Sequence, residues 1–293
     1  MLPVRIFKKH DLQSVPRNKV VKKLVSSGTS GQELSKIYLD KENARNQTIV
    51  LKKITETILG NQRLPMLIID RDPKILDRSV FNAQLTAIYG FSIFGKHYCY
   101  LLDEEGNIDY KKLNEFLKKY SHDNFFIFGF TSLVLENLIQ KLSTKLICSN
   151  FQNGILLHGG GWKKLDKLKI NNDNFRKKLF SKIKLKKIYN YYGLVEQTGS
   201  IFLECSEGFL HCSIFSDIIT RRNDFTICDF NEIGLVQLIS LLPTSYPGHN
   251  IISEDLGEII GIDDCKCGRL GKFFLIHGRA ESTEIRGCSD TVE

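Results

Sequence analysis

The residue types in this chain most able to do chemistry gather in a few short stretches. Ser26-Ser-Gly-Thr-Ser-Gly31 packs four hydroxyls and two glycines into six positions. Glycines there let the backbone approach a ligand closely, and hydroxyls at Ser27, Thr29 and Ser30 offer donors to phosphate oxygens. No Gly-Lys-Ser/Thr closes the stretch, so it is not a Walker A loop, and a plain surface turn uses the same composition. His158-Gly-Gly-Gly-Trp-Lys163 sets Gly159, Gly160 and Gly161 after an apolar run, where bare backbone lets a flat ring lie against it. A tight strand-to-helix corner would use the same three glycines, but ligands of open α/β sheets do sit beyond the carboxyl ends of the strands. Tyr189-Asn-Tyr-Tyr-Gly-Leu-Val-Glu196 puts a carboxylate just after the aromatic turn at Tyr192 and Gly193. At the mouth of a phosphate site such a Glu suits Mg²⁺, a hard cation held by one or two carboxylates; elsewhere it is ordinary solvated surface.

Near the other end come Glu254-Asp-Leu-Gly-Glu, Cys265-Lys-Cys-Gly-Arg, Gly278-Arg279 and Arg286-Gly-Cys288. They read as a buried acidic turn, a C-x-C pair, an arginine-bearing turn and a thiol beside a guanidinium. Cys205, His211, Cys265 and Cys267 together offer three thiols and one imidazole, a set that suits structural zinc, with Cys212 as a substitute ligand. The split spacing matches no standard finger, and four side chains of a reduced core would look the same.

These residues need elements to position them. Lys36-Ile-Tyr-Leu39 reads as a strand, followed by a helix with Ala44, Thr48, Leu51, Ile54 and Ile58 on one face and Gly60 as its stop. Met66-Leu-Ile-Ile69 is a fully apolar run, as in a buried strand. Helical spacing recurs over residues 77–89, 110–120 and 132–142, with strand runs at 98–102, 125–128 and 155–158. Strands alternating with helices predict a mostly parallel sheet covered on both faces. After Gly199 the runs shorten, at 201–203, 225–227, 235–242 and 273–276, between Gly, Pro, Asn and Asp, which predicts a β-rich lobe. The expected domains are an α/β nucleotide-binding body over residues 1–199 and a smaller β-rich lobe over residues 200–293.

Composition narrows the function classes. The chain has 293 residues, 42% of them hydrophobic, so it can bury a large core. No apolar run is long enough to span a membrane, and the charged N-terminus is not a signal peptide, so the expected compartment is the cytoplasm. The eight cysteines are then reduced thiols rather than a disulfide framework. A net charge of +8 invites a nucleic-acid reading. Yet the densest lysine block, residues 177–187, is interleaved with Leu179, Phe180, Ile183 and Leu185 at helical spacing, as on a solvated helix face. No nucleic-acid-binding signature accompanies it, so no nucleic-acid partner is expected.

Taken in order, the hydroxyl–glycine loop, the glycine turn, Tyr-Gly-x-x-Glu, Asp-Leu-Gly and Gly-Arg resemble the acyl-adenylate-forming superfamily. More specifically, Ser27-Gly-Thr-Ser-Gly-Gln-Glu-Leu-Ser-Lys-Ile-Tyr38, His158-Gly-Gly-Gly-Trp-Lys163, Tyr246-Pro-Gly-His249 and Arg286-Gly-Cys-Ser-Asp290 look like the acyl-protein synthetases of bacterial luminescence systems. The resemblance covers essentially the whole chain. It implies an α/β fold of the adenylate-forming large-domain type without the mobile C-terminal domain. The chain departs from the pattern in having a shorter segment before the phosphate loop.

The resemblance also implies roles. Ser27, Gly28, Thr29, Ser30 and Gly31 would wrap the ATP phosphates; Gly159, Gly160 and Gly161 would flank adenine; Tyr192 and Gly193 belong to the same nucleotide site. Glu196 would hold Mg²⁺, Asp255 would accept from the ribose hydroxyls, and Arg279 would contact ribose or the α-phosphate. A fatty acid, or a related carboxylate, would attack the α-phosphorus; it is already ionised and needs no general base. Cys288 would then take the acyl group for delivery to an acyl-reductase partner, with Arg286 favouring the thiolate. An acyl- or aryl-CoA ligase differs only in the final acceptor. An inactive scaffold subunit of an acyl-reductase complex is the reading from outside the enzymes, and the joint presence of Glu196, Asp255 and Arg279 argues against it.

Overall fold

The computed structural model describes residues 1–26, 34–73, 83–161 and 171–280. Residues 27–31, Trp162, Lys163, Arg286 and Cys288, and the first part of the helix expected over 77–89, lie outside these. Along the chain, strand β1 (Leu2–Pro3) and the short helix α1 (Ile6–Lys9) precede a hairpin of β2 (Val20–Val25) and β3 (Lys36–Asp40), and helix α2 (Lys41–Leu59) follows. Next come β4 (Leu64–Arg71), α3 (Ala83–Ser92), β5 (Gly95–Leu102), α4 (Tyr110–Tyr120), β6 (Phe125–Phe130) and α5 (Thr131–Val134). α5 runs on as a π-helix over Leu135–Lys141, before β7 (Gly154–Gly159), α6 (Asn172–Ile183) and β8 (Lys187–Tyr192). β9 (Phe202–Glu204), β10 (Leu210–His211), β11 (Ser216–Arg221), β12 (Gly234–Ser240), β13 (Asn250–Ile262) and β14 (Lys272–Arg279) complete the order.

Among the described residues the chain divides into two compact units, Glu56–Asn190 and a second made of Met1–Thr55 with residues 191–280. This division differs from the boundary expected at residue 199. The N-terminal residues pack with the C-terminal strands because β1 pairs with β13 in parallel and Phe7, Leu24, Ile37 and Leu39 share a core with Phe202, Val236, Leu238, Ile251 and Phe274.

In the unit Glu56–Asn190 the strands lie in the order β5-β4-β6-β7-β8, and every pairing is parallel. The side-chain period of two sends alternate residues of β6 to opposite faces. Phe125 and Ile127 join a core with Leu113, Phe116 and Leu117 of α4 and Phe175, Leu179 and Ile183 of α6. Phe128 faces the other way and meets Phe91 of α3, ring centroids 4.7 Å apart. Both faces of the sheet are therefore covered. α4 has the bounds its pattern predicts: Asp109 caps it by accepting from Lys112 N at 3.0 Å, and its buried residues fall at i, i+3 and i+4. In the helix after β6, the side-chain amide of buried Asn137 donates to Leu133 O at 3.0 Å, the acceptor its own backbone N–H would use in an α-helix. That competition accompanies the widening to π-type bonds, as in Leu142 N to Asn137 O. In α6, Lys177 and Lys178 are exposed while Phe175, Leu179 and Ile183 are buried, a solvated lysine face over an apolar stripe. Phe180, expected on that stripe, is exposed, and Leu185 is buried beyond the helix end at Lys184, whose φ is +62°.

In the second unit the strands run β8-β9-β10-β14-β13-β12-β11, all antiparallel, with the β2–β3 hairpin as a separate sheet. Four local expectations change here. Residues 225–227 form a turn with a single bridge to Arg221, not a strand, because Phe225 adopts φ +66°. The aromatic turn before Glu196 is the end of strand β8, whose Tyr191 and Tyr192 pair with Leu203 and Phe202. The acidic turn at Asp255 is the middle of β13: Asp255 pairs with Arg279 on β14, and Leu256 with Leu235 on β12. Strand partners on both sides satisfy the backbone there, so the polar side chains do not end the strand. Arg279 likewise ends β14 rather than sitting in a turn.

Candidate nucleotide and metal sites

Asp255 and Arg279 face one another because their strands pair in that register. Arg279 Nε stands 3.6 Å from Asp255 Oδ1, and its Nη1 3.7 Å from Glu254 Oε2. Tyr192, at the end of β8, donates its hydroxyl to Asp255 Oδ2 at 2.7 Å. Burial, the Asp255 charge and this bond hold the phenol well above its ordinary pKa, so it stays a donor. Arg5, from the segment that pairs with β13, is bonded to Glu254. Burial alone would raise the Glu254 pKa, but the bond from Arg5 and the charges of Lys8, Arg5 and Arg279 outweigh it and hold the carboxylate below its ordinary range.

Glu196 follows β8 in a single 3₁₀ turn and is only 5% exposed. Burial raises its pKa; a bond from the Ser35 hydroxyl, its own backbone N–H and the Lys8 charge pull the other way, and Asp255 adds to the rise. Gly248, of the Tyr246-Pro-Gly-His stretch, packs so closely that a Cβ there would lie 2.5 Å from Glu196 O. Ser35 belongs to the neck of the hydroxyl–glycine loop: Ser26 N donates to Ser35 O and Ser35 N to Ser26 Oγ, both at 2.9 Å. The neck of that loop, Glu196, Tyr192, Asp255 and Arg279 thus belong to one compact unit, whereas Ser27, Gly28, Thr29, Ser30 and Gly31 themselves lie outside the described residues. Gly193, which follows Tyr192 in the chain, is exposed. Ser35, Arg5 and Lys8 were given no role from sequence, and Glu254 only a place in the acidic turn. Ser35 carried a usable signal, closing the hydroxyl loop opposite Ser26; Arg5 and Lys8 carried none, since only the β1–β13 pairing brings them here.

The glycine turn lies in the other unit. Gly159 ends β7, and Gly160 and Gly161 take φ +96° and +80°, a region that favours glycine. Thr131 fixes the turn: its hydroxyl donates to Gly159 O at 3.0 Å and lies 2.9 Å from His158 Nδ1. Burial, with the Arg176 charge, pushes His158 down to about 3, so the imidazole beneath the turn is neutral.

Cys205, His211, Cys265 and Cys267 come together as a group whose ligand atoms all lie within 4.8 Å of one another. Cys205 Sγ is 3.9 Å from Cys265 Sγ, and Cys267 Sγ is 3.4 Å from His211 Nε2. Cys212 is not in the group; its thiol reaches 4.0 Å toward Asp217 Oδ1. The seven described cysteines are free thiols, and Cys288 lies outside the described residues.

The family pattern described as acyl-protein synthetase, LuxE, matches residues 1–293. The chain belongs to this family. No curated protein matches it. Among solved structures, an open form of 2-hydroxyisobutyryl-CoA ligase in complex with 2-HIB-AMP and CoA is similar over 92% of this chain and 55% of its own, with a TM-score of 0.68 and 12% identity. ATP-bound MatB from Rhodopseudomonas palustris is similar over 89% of this chain and 48% of its own, with a TM-score of 0.58 and 13% identity. The luciferase-like enzyme of the mealworm Zophobas morio is similar over 92% and 60%, with a TM-score of 0.58 and 14% identity. The fold is that of adenylate-forming enzymes, and the chain spans about half the length of the first of these solved structures. Among the described residues no helix is long and apolar enough to cross a membrane.

If Asp255 anchors a ribose diol, Asp255→Asn keeps one acceptor but turns a donor toward Tyr192 or Arg279. Nucleotide affinity measured calorimetrically is expected to fall at least about tenfold, with the thermal midpoint within a few degrees of wild type. A sharp fall in midpoint with unchanged affinity would make Asp255 a purely structural partner of Arg279.

Proposed function

We propose that this protein activates a fatty acid, or a related carboxylate, with ATP to an acyl-adenylate and passes the acyl group to the thiol of Cys288, for delivery to an acyl reductase. The observation that carries this reading is the gathering of the phosphate-loop neck, Glu196, Tyr192, Asp255 and Arg279 within one unit of a chain from this family. In the first half-reaction a carboxylate oxygen bonds to the α-phosphorus, the bond to the bridging oxygen breaks, and pyrophosphate leaves. In the second, the Cys288 thiolate bonds to the acyl carbon and AMP leaves, the thiol proton having gone to solvent.

The residues supply positioning and charge rather than proton transfer. Asp255, held by Tyr192 and Arg279, accepts from the ribose. Arg279 faces the ribose or the α-phosphate, and Arg5 and Lys8 add positive charge around Glu254. Glu196 fits a magnesium ion, because a carboxylate this buried, held by one hydroxyl and its own N–H, gains most from a compensating cation. Magnesium, when bound, would neutralise phosphate charge.

Pyrophosphate exchange into ATP tests the first half-reaction across fatty, aryl and hydroxy acids. Exchange that needs both Mg²⁺ and a fatty acid is the expected result. No exchange with any acid would favour the scaffold reading, and acylation of coenzyme A alone would favour the ligase reading.

A further inference from the structure

Cys205 follows β9, His211 lies in β10, and Cys265 and Cys267 lie in the turn joining β13 to β14. They meet because β10 is paired on one side with β9 and on the other with β14, His211 opposite both Leu203 and Phe273. Their loops are tightly turned: Gly208 N donates to Cys205 O at 3.1 Å and Gly268 N to Cys265 O at 2.9 Å. Arg269 N donates to Cys267 Sγ at 3.4 Å, fixing that sulfur on the inner side of its turn.

We propose that Cys205, His211, Cys265 and Cys267 hold a structural zinc ion that ties the β9–β10 turn to the β13–β14 turn. Four ligands at Zn–S of ~2.3 Å and Zn–N of ~2.0 Å in a tetrahedron lie ~3.5–3.8 Å apart. The observed Cys205–Cys265 and Cys267–His211 separations, 3.9 and 3.4 Å, are already at that spacing. The widest separation in the group, within 4.8 Å, exceeds it by about 1 Å, which small side-chain rotations take up. His211 gives a second reason. It is 4% exposed and its Nε2 faces Cys267 Sγ. A thiol is a weak partner for a buried imidazole nitrogen, and a metal bond to Nε2 replaces that weak contact with a strong one.

Four protein ligands fill a tetrahedral ion completely, so the site has a structural rather than a catalytic role. Three thiolates around Zn²⁺ leave one net negative charge. Arg269 brings its guanidinium beside the group, donating to Leu203 O and Glu204 O at 3.3 Å each, which offsets that charge. Binding releases the three thiol protons to solvent. The clamp sits at the closed end of the β13–β14 pair, whose other end holds Asp255 opposite Arg279.

The test uses the full chain without a metal-binding tag, grown in zinc-replete medium. Elemental analysis is expected to give about one zinc per chain, and the Cys265→Ser, Cys267→Ser double variant to lose it, with a thermal midpoint lower by about 5 °C or more. If that variant does not fold, wild type whose zinc has been displaced by a mercurial is reloaded with Co²⁺. Thiolate-to-cobalt charge-transfer bands with the intense visible bands of a tetrahedral ion support the site. Wild type that holds no zinc and shows no such bands overturns the proposal, as does a mass loss of two hydrogens assigned to a Cys205–Cys265 disulfide. The readout is metal and stability, so it stands apart from whether any carboxylate is activated.

Discussion

Replacing Cys288 by Ser is expected to leave acyl-adenylate formation intact and to abolish the acyl-thioester that wild type accumulates. With labelled fatty acid, ATP and Mg²⁺, wild type should carry a hydroxylamine-sensitive label, whereas the variant should show background labelling with pyrophosphate exchange unchanged. The argument rests on which thiol can become a thiolate. Burial pushes Cys99 up to about 11 and Cys212 to about 12, so these are poor nucleophiles at neutral pH, while Cys205, Cys265 and Cys267 belong to the metal group proposed above. Cys228 is raised by burial as well. Cys288 has Arg286 two positions away and small neighbours in Gly287 and Ser289, which favour an accessible thiolate. Cys148 is the exposed rival among the described residues, so Cys148→Ser is the matched control and should keep its label. Full thioester labelling in Cys288→Ser would move the nucleophile elsewhere.

Local signals were enough for much of the α/β unit. α4 was expected over residues 110–120 from helical spacing, and the burial of Leu113, Phe116 and Leu117 bears that spacing out; β6 is an unbroken apolar run buried at every position. In these elements the residues that define the structure are near neighbours in sequence. β13 was missed for the opposite reason. Ser253, Glu254 and Asp255 interrupt its apolar pattern, and what stabilises them, Arg5, Tyr192 and Arg279, lies far away in sequence. The same limit applies to the sites. The thiols and imidazole of the metal group were legible as residue types, but their meeting depends on β10 pairing with both β9 and β14. The dividing line between units was illegible too, since it depends on β1 joining β13 and on Phe7, Leu24, Ile37 and Leu39 sharing a core with residues such as Phe202 and Phe274.

Glu196→Gln is expected to cut pyrophosphate exchange by at least about tenfold, a loss of ~1.4 kcal/mol or more of stabilisation of developing charge. The same change is expected to leave the ligand-free protein at least as stable as wild type. Burial raises the folded-state pKa of Glu196 above its ordinary value of 4.5, so the folded state favours the protonated form. The sign follows from linkage: that contribution is fully present below 4.5 and is lost as pH rises through the raised folded value. Gln has nearly the same shape as the protonated acid, still accepts from Ser35 and never ionises. Its advantage in thermal midpoint should therefore grow with pH across that window, in the presence of a chelator. Lys8, whose charge favours the ionised form, and Asp255, whose charge opposes it, set how wide the window is. ATP with Mg²⁺ should reverse the order, stabilising wild type more than the variant, because only the ionised carboxylate gains from the cation. A variant that loses stability and keeps full exchange would make Glu196 a structural acid bonded to Ser35, and would remove it from the metal site.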